Sequence, residues 1–250
     1  MKRKYKALML DLDGTLILNQ KGGLPSIAVT KAITKAKKHV HICLATSRPY
    51  IYVKNILDHL SLNGYSTING GSQIINSTTR DFVWEQPMDQ EDIAILSEIL
   101  TKEGISFWFT NDNANIYPPF QSIPKRVFQI YIGHDFTNPQ ADSLIAKISH
   151  LPNIAAHKVP SWNKGFFCIT ITHAKATKQH GVFEVAKLLG FKTHDMIGVG
   201  DGYNDFPLLM SCGLKIAMGN AVPELKEIAD YVAPTVENDG IVDIINKFIL

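Results

Sequence analysis

Asp11 and Asp13 stand one residue apart at the end of an apolar run, in LMLDLDGTLILNQ (8–20), with Gly14 and Thr15 directly after them. Two carboxylates about 4 Å apart repel by on the order of 4 kcal/mol at an effective dielectric of about 20. A second acidic group, Asp201 and Asp205 with Asn204 between them, lies in GDGYND (200–205). Each stretch alone reads as a turn with a capping residue. Brought together, they offer only oxygen donors, and a bound cation would reverse the sign of their repulsion. Such a set suits Mg²⁺, which keeps several waters and also takes a substrate phosphate oxygen. Lys178 follows Thr177, a predicted N-cap, so it puts a cation where the helix macrodipole disfavours one. Local rules broken this way often mark function. An anion in front of Lys178 would account for it, and the hydroxyls of Thr46 and Ser47, near the start of the helix after Pro49, would donate to the same anion.

These residues need a scaffold that delivers them to one rim. Tyr5 to Leu12 is apolar without strict alternation, as in a strand buried on both faces of a parallel sheet. A helix over Ser26 to Lys38 and a strand over His41 to Ala45 complete a β-α-β unit, and a helix over Tyr50 to Leu62 leads to a third strand, Tyr65 to Ile68. The pattern resumes with a helix from Thr177 to Leu189 and a strand from Met196 to Val199. After them come a helix from Phe206 to Ser211, a strand from Leu214 to Ala217, a helix from Pro223 to Ala229, a strand from Tyr231 to Ala233 and a last helix near Ile241 to Phe248. Alternation of this kind predicts an α/β fold with a doubly wound, Rossmann-like parallel sheet. In such sheets ligands bind beyond the carboxyl ends of the strands, where Asp11, Asp13, Thr46, Ser47, Asp201, Asn204 and Asp205 all fall.

Between these halves the grammar changes. Short aromatic and β-branched runs (Phe82 to Trp84, Ile105 to Phe109, Val127 to Ile132, Phe166 to Ile171) alternate with two helices, Glu91 to Leu100 and Gln140 to His150, and several prolines. The expectation is an inserted α+β cap over 81–170, with a discontinuous core domain formed by 1–80 and 171–250.

The chain has 250 residues, 45% hydrophobic and 19% charged, with a net charge of +2. That balance predicts neither nucleic acid nor a membrane as partner. The basic cluster Lys2, Arg3, Lys4 and Lys6 reads as a solvated tail. Cys43, Cys168 and Cys212 sit far apart in apolar surroundings and read as buried thiols of a reducing compartment. With no secretory h-region and no long apolar window, a cytoplasmic location is expected. Asn76-Ser77-Thr78 is expected to form a turn. The nine histidines show no metal-ligand spacing. A monomer or small homo-oligomer is expected.

The order of the motifs resembles the haloacid dehalogenase superfamily, in its Cof-type branch with a C2-type cap. DLDGTL at Asp11 to Leu16, Thr46 in LATSRP, Lys178 and GDGYND match its four motifs, and Asn69-Gly70-Gly71 resembles the turn before the cap. Ser47 stands where the branch usually has glycine, and THAKATK replaces its glycine-containing segment before the lysine. The resemblance implies a phosphatase in which Asp11 is the nucleophile and Asp13 the general acid and base. It implies Mg²⁺ held by Asp11, the Asp13 backbone carbonyl and Asp201, with Asp205 in or near that shell, and phosphate bound by Thr46 and Lys178 with help from Asn204. The expected substrate is a small phosphorylated metabolite, a sugar phosphate first. Arg48 would either reach substrate or brace its loop. Trp108, Tyr117, Phe120, Trp162 and Lys164 are cap residues that could face the substrate. Alternatives are a phosphomutase or phosphotransferase of the same superfamily and, in another class, a phospho-aspartate signalling receiver, which the inserted cap and the Asp11-x-Asp13 spacing oppose.

Overall fold

The computed structural model describes residues 5–18, 23–111 and 114–250. Its first half runs β1 (Ala7–Leu10), α1 (Ile27–Ala36), β2 (His41–Leu44), α2 (Tyr50–Leu60), β3 (Tyr65–Ile68), β4 (Gln73–Asn76), β5 (Phe82–Glu85), α3 (Gln90–Lys102), β6 (Trp108–Thr110) and β7 (Asn115–Ile116). The second half runs β8 (Gln129–Phe136), α4 (Asn138–Ile148), β9 (Ile154–Pro160), β10 (Phe167–His173), α5 (Lys178–Leu189), β11 (Met196–Gly200), α6 (Phe206–Ser211), β12 (Leu214–Ala217), α7 (Pro223–Ile228), β13 (Tyr231–Val232) and α8 (Gly240–Phe248).

Five strands form a parallel sheet in the order β13-β12-β11-β1-β2. Alternate residues of β1 explain its unbroken hydrophobicity. Leu8 and Leu10 pack in one core with Val29, Ile33, Val53, Leu57 and Ile244 from α1, α2 and α8. Ala7 and Met9 pack in the other with Val182, Val185, Leu208 and Leu209 from α5 and α6. Helices therefore cover both faces, and the carboxyl ends of β1, β2 and β11 open on one rim. Ser26 begins α1 as predicted, its Oγ accepting from Val29 N at 3.1 Å.

The third predicted strand, β3, departs from expectation. Its backbone bridge to the end of β2 is an isolated parallel one, Ala45 to Thr67. Leu44 N donates to the Ser66 hydroxyl at 3.0 Å, so a side chain takes the place of a backbone acceptor in the ladder. Instead β3, β4 and β5 form an antiparallel sheet. The run Phe82 to Trp84, which the sequence places in the insert, thus pairs with β4 beside the core. Asn76 Oδ1 accepts from Thr78 N at 2.9 Å and Thr79 N at 3.2 Å, closing the expected turn.

A second five-stranded sheet, antiparallel in the order β7-β6-β8-β10-β9, carries α3 and α4 on one face. Along β8, Ile130, Ile132 and Phe136 join the core beneath those helices. Gln129, Tyr131, Gly133 and Asp135 point the other way, over the rim of the parallel sheet. Ser72 Oγ donates to Phe128 O at 2.8 Å, and the Lys158 ammonium lies 4.2 Å from the centre of the Tyr203 ring, tying this sheet to the core at both ends.

Lys2, Arg3 and Lys4 lie outside the described residues, and Lys6 pairs with Asp195 at 2.7 Å. All three cysteines are free and buried. Among the described residues, no helix is long and apolar enough to cross a membrane.

Candidate active site

Asp11 leaves the end of β1, its N–H donating to Val199 O at 2.9 Å, and is 5% exposed. Asp201 leaves the end of β11, and Asp205 follows one turn later. Each of the three can offer a carboxylate oxygen within 4.8 Å of the others. Gly14 is what lets Asp201 approach: its φ is +80°, and a Cβ there would lie 2.2 Å from Asp201 Oδ2. Thr15 Oγ1 donates to Asp201 Oδ1 at 3.0 Å. Asp205 holds the loop with one oxygen, Oδ2 accepting from Asp201 N and Gly202 N, both at 2.9 Å, and accepts Lys178 Nζ with the other at 2.6 Å.

Lys178 is 2% exposed and donates to both Asp11 Oδ1 and Asp205 Oδ1. Its place depends on the Asn69-Gly70-Gly71 turn. Gly71 has φ +116°, and a Cβ would lie 2.3 Å from the Thr177 carbonyl, so the turn packs directly on the start of α5. The same turn holds the loop after β2, because Asn69 N donates to Arg48 O and Gly70 N to Thr46 O, each at 3.0 Å. One glycine-rich turn thereby registers Thr46 against Lys178. Thr177 occupies the N-cap position without capping through its side chain, since its hydroxyl bonds His180 Nδ1 at 3.0 Å instead.

One ammonium among three buried carboxylates leaves the cluster short of positive charge. Burial, then the nearby Asp205, pushes the Asp11 carboxyl up to about 7 despite Lys178. Burial, then Asp11 and Asp205, also raises Asp201 well above the usual carboxylate range. Burial opposes the charge on Lys178, but Asp11 and Asp205 outweigh it and hold the ammonium more firmly protonated than an ordinary lysine. Oxygen donors alone, an excess of negative charge and carboxyls that retain protons for want of a counter-ion fit a hard divalent cation such as Mg²⁺.

Asp13 points elsewhere. Arg48 grips it with both arms of the guanidinium, Nε to Oδ2 at 2.8 Å and Nη2 to Oδ1 at 2.5 Å. Holding the second aspartate is neither of the two roles expected of Arg48, reaching substrate and bracing its own loop. Arg48 N donates to Thr46 Oγ1 at 3.1 Å, and Asn204 Nδ2 to Ser47 Oγ at 3.4 Å, so the serine that stands for the usual glycine joins the loops after β2 and β11.

Asn220 escaped the sequence reading. Its Nδ2 donates to Gly14 O at 2.8 Å and to Asp201 Oδ2 at 3.3 Å, and its Oδ1 accepts from Val236 N at 2.9 Å. It lies just past the end of β12, where the strand-end rule that found the other loops would also have found it.

A cavity of about 580 Å³ separates this rim from the second sheet and reaches Asp11, Asp13 and Asp201. Trp108, Tyr117 and Trp162, three of the cap residues that could face a substrate, line it. Phe120 does not, because it packs against Phe107 and Phe109 with ring centres 5.3 and 4.6 Å apart, and Lys164 is exposed away from the lining. Gln129, Tyr131 and Asp135 line it without having been singled out.

His157, on β9, has its Nε2 buried without a hydrogen-bond partner. Burial, and then Lys178, push its pKa down to about 4 from 6.5, with Asp205 pulling the other way. The unfolded chain therefore takes up a proton below 6.5 that the folded chain refuses until about 4. Folding stability should fall across that window as pH falls, by about 3 kcal/mol from this ring. Urea unfolding at pH 7 and pH 4.5, with EDTA present, checks it: His157→Gln should lose distinctly less stability than the parent between the two, and parallel losses would count against the ring.

The family model of haloacid dehalogenase-like hydrolases matches residues 8–130 and 118–245, and the chain belongs to that family. The 5-amino-6-(5-phospho-D-ribitylamino)uracil phosphatase YcsE of Bacillus subtilis (strain 168) is 25% identical, over 98% of this chain and 96% of its own. A solved structure of a haloacid dehalogenase-like hydrolase from B. subtilis matches with a TM-score of 0.85 at 18% identity, covering 97% of this chain and 99% of that one. The HAD subclass IIB sugar phosphatase BT4131 matches with a TM-score of 0.80 at 22% identity, covering 97% and 98%. At these identities the structural likeness speaks for the fold, a parallel-sheet core with a cap. Family membership and full-length relatives named as phosphatases make this chain a phosphatase acting on phosphorylated substrates.

Proposed function

We propose that the protein is a Mg²⁺-dependent phosphatase that hydrolyses small phosphorylated metabolites, sugar phosphates first, through an aspartyl phosphate on Asp11. The observation that carries the reading is the buried set of Asp11, Asp201 and Asp205 around Lys178, opening on a cavity roofed by the second sheet. In this reading the parallel-sheet segments are the core, the antiparallel β3-β4-β5 sheet included, and the second five-stranded sheet with α3 and α4 is the cap. YcsE, by its name, acts on a ribityl phosphate and BT4131 is a sugar phosphatase, so polyol and sugar leaving groups are the first candidates.

An Asp11 oxygen forms a bond to phosphorus while the ester P–O bond breaks, and Asp13 gives its proton to the departing alcohol oxygen. Asp13 then takes a proton from water, the water oxygen bonds to phosphorus, the acyl phosphate P–O bond breaks, and Asp11 is restored as phosphate leaves. Because both Asp13 oxygens are held by Arg48, that pair must open for Asp13 to reach the leaving group. Lys178 and the Thr46 hydroxyl bind phosphate oxygens, and Asn204 adds a donor. Asp11, Asp201 and the Asp13 carbonyl would hold Mg²⁺, with Asp205 orienting Lys178 and the loop. When bound, the ion supplies positive charge to the transferring phosphoryl group.

Phosphate release from an aryl phosphate and a panel of phosphometabolites tests the reading. Release should fall at least about 100-fold in excess EDTA and return with added Mg²⁺. Turnover that persists undiminished in EDTA would overturn the metal assignment, and transfer to an added sugar phosphate in place of release would indicate a mutase.

A further inference from the structure

Resting on the phosphatase reading, the geometry points to the class of leaving group the cap admits: an uncharged group with one apolar face and a hydrogen-bond acceptor, laid on Trp108 and read by Gln129. Three independent features of the cap sheet carry this.

The first is a platform. A Cβ on Gly133 would lie 2.5 Å from both Cη2 and Cζ3 of Trp108. The missing side chain leaves the space in which the indole crosses β8. There it stacks on Tyr131, centres 4.6 Å apart and planes at 24°, with Tyr117 at 5.3 Å and tilted by 44°. An indole braced by two neighbours loses little freedom when a ligand lies on it, and its face suits the C–H face of a sugar or the plane of a heterocycle.

The second is an unmade hydrogen bond. Gln129 is 1% exposed, lines the cavity, and its Nε2 is buried with no partner. Buried amide groups are rarely left so, and an unpaired donor on a residue that lines a cavity reaching a nucleophile is one for which a ligand can supply the acceptor.

The third is the sign of the wall. Among the described residues that line the cavity, Arg48 is the one cation, and it is engaged by Asp13. The cap contributes a carboxylate, Asp135, held by hydrogen bonds from the Ser161 hydroxyl and the Asn163 amide that keep its carboxyl below the usual range. A leaving group bearing its own carboxylate or second phosphate would face Asp135 with no cap cation to receive it. A neutral polyol or sugar can instead donate its hydroxyls there.

Steady-state kinetics on the Mg²⁺-loaded protein test this, first on the parent protein and then on two variants. Glycerol phosphate and a hexose phosphate should be hydrolysed with kcat/KM at least about tenfold above phosphoglycerate and a hexose bisphosphate. Asp135→Asn should narrow that gap. Gln129→Leu should lower kcat/KM for the hexose phosphate about tenfold relative to phenyl phosphate, whose leaving group carries no acceptor beyond the scissile oxygen. Equal turnover of neutral and anionic esters by the parent protein, with phenyl phosphate hydrolysed, would overturn the leaving-group assignment alone. Absence of turnover on every ester, phenyl phosphate included, would overturn it together with the phosphatase reading.

Discussion

Asp11→Asn should abolish phosphate release, lowering kcat by at least about 10⁴-fold on every substrate the parent protein hydrolyses. The amide keeps the shape of the carboxylate but its oxygen is uncharged and a far weaker nucleophile, so no binding interaction elsewhere can compensate. The same variant carries a second, opposite reading. In the folded protein the Asp11 carboxyl is pushed from 3.8 up to about 7, first by burial and then by Asp205. A raised carboxyl contributes its full share to stability at low pH and loses it as pH climbs from 3.8 through about 7. Above that window the metal-free protein holds Asp11 ionised at a cost. Asp11→Asn removes the cost, so in EDTA at pH 8 it should melt above the parent protein while being inactive, a trade of stability for function. Thermal scans at pH 8 in EDTA, paired with a single-turnover assay, check both. Residual turnover within 100-fold of the parent would sink the nucleophile assignment, and a lower melting temperature would sink the electrostatic account.

The parts of this arrangement that the sequence exposes are those governed by one local rule. Polar residues that follow buried parallel strands gather on the rim where the strands end, which is how Asp11, Thr46, Asp201 and Asp205 come together. Lys178 stood out because it offends the helix dipole, and the structure shows what outweighs that dipole: two carboxylates in direct contact. The sequence does not show pairings made over long separations. The Arg48 grip on Asp13 links positions 35 residues apart, and the Gly71 contact with Thr177 ties a turn to a helix over a hundred residues away. Strand β3 looked like its parallel neighbours, yet the side chains of Asn63 and Ser66 accept the Ile42 and Leu44 N–H groups in place of backbone carbonyls. In the cap, aromatic type alone did not separate Phe120, which packs against the core, from Trp108, which lines the cavity. The alternation of Gln129, Tyr131, Gly133 and Asp135 with Ile130, Ile132 and Phe136 did hold that information, because a strand with one face on helices and one on a cavity must alternate.

Lys178→Met should damage both the fold and the chemistry, in ways pH and metal can separate. The methionine fills similar space but leaves the buried carboxylates of Asp11, Asp201 and Asp205 with no cation among them. Removing one partner of a buried ion pair typically costs about 3–5 kcal/mol, because the remaining charge stays uncompensated. The carboxyls can avoid that cost only by keeping protons. Losing Lys178, which lowers the Asp11 carboxyl in the parent protein, should shift the acid group further up. The variant should therefore be only mildly destabilised at pH 6 and severely so at pH 8 in EDTA, with the melting temperature down by roughly 10 °C at the higher pH. Mg²⁺ should restore part of the loss, since a divalent cation supplies the missing charge. Catalysis should not return with it: without the ammonium on the phosphate oxygens, kcat should remain about 10²–10³-fold below the parent protein at saturating Mg²⁺. Calorimetry at the two pH values, with and without Mg²⁺, and kcat in the stabilised state read these effects separately. An equal drop in melting temperature at pH 6 and pH 8 would show that packing, not charge, is what Lys178 contributes to the fold. A kcat within tenfold of the parent protein once Mg²⁺ is bound would restrict Lys178 to holding Asp11 and Asp205 in place.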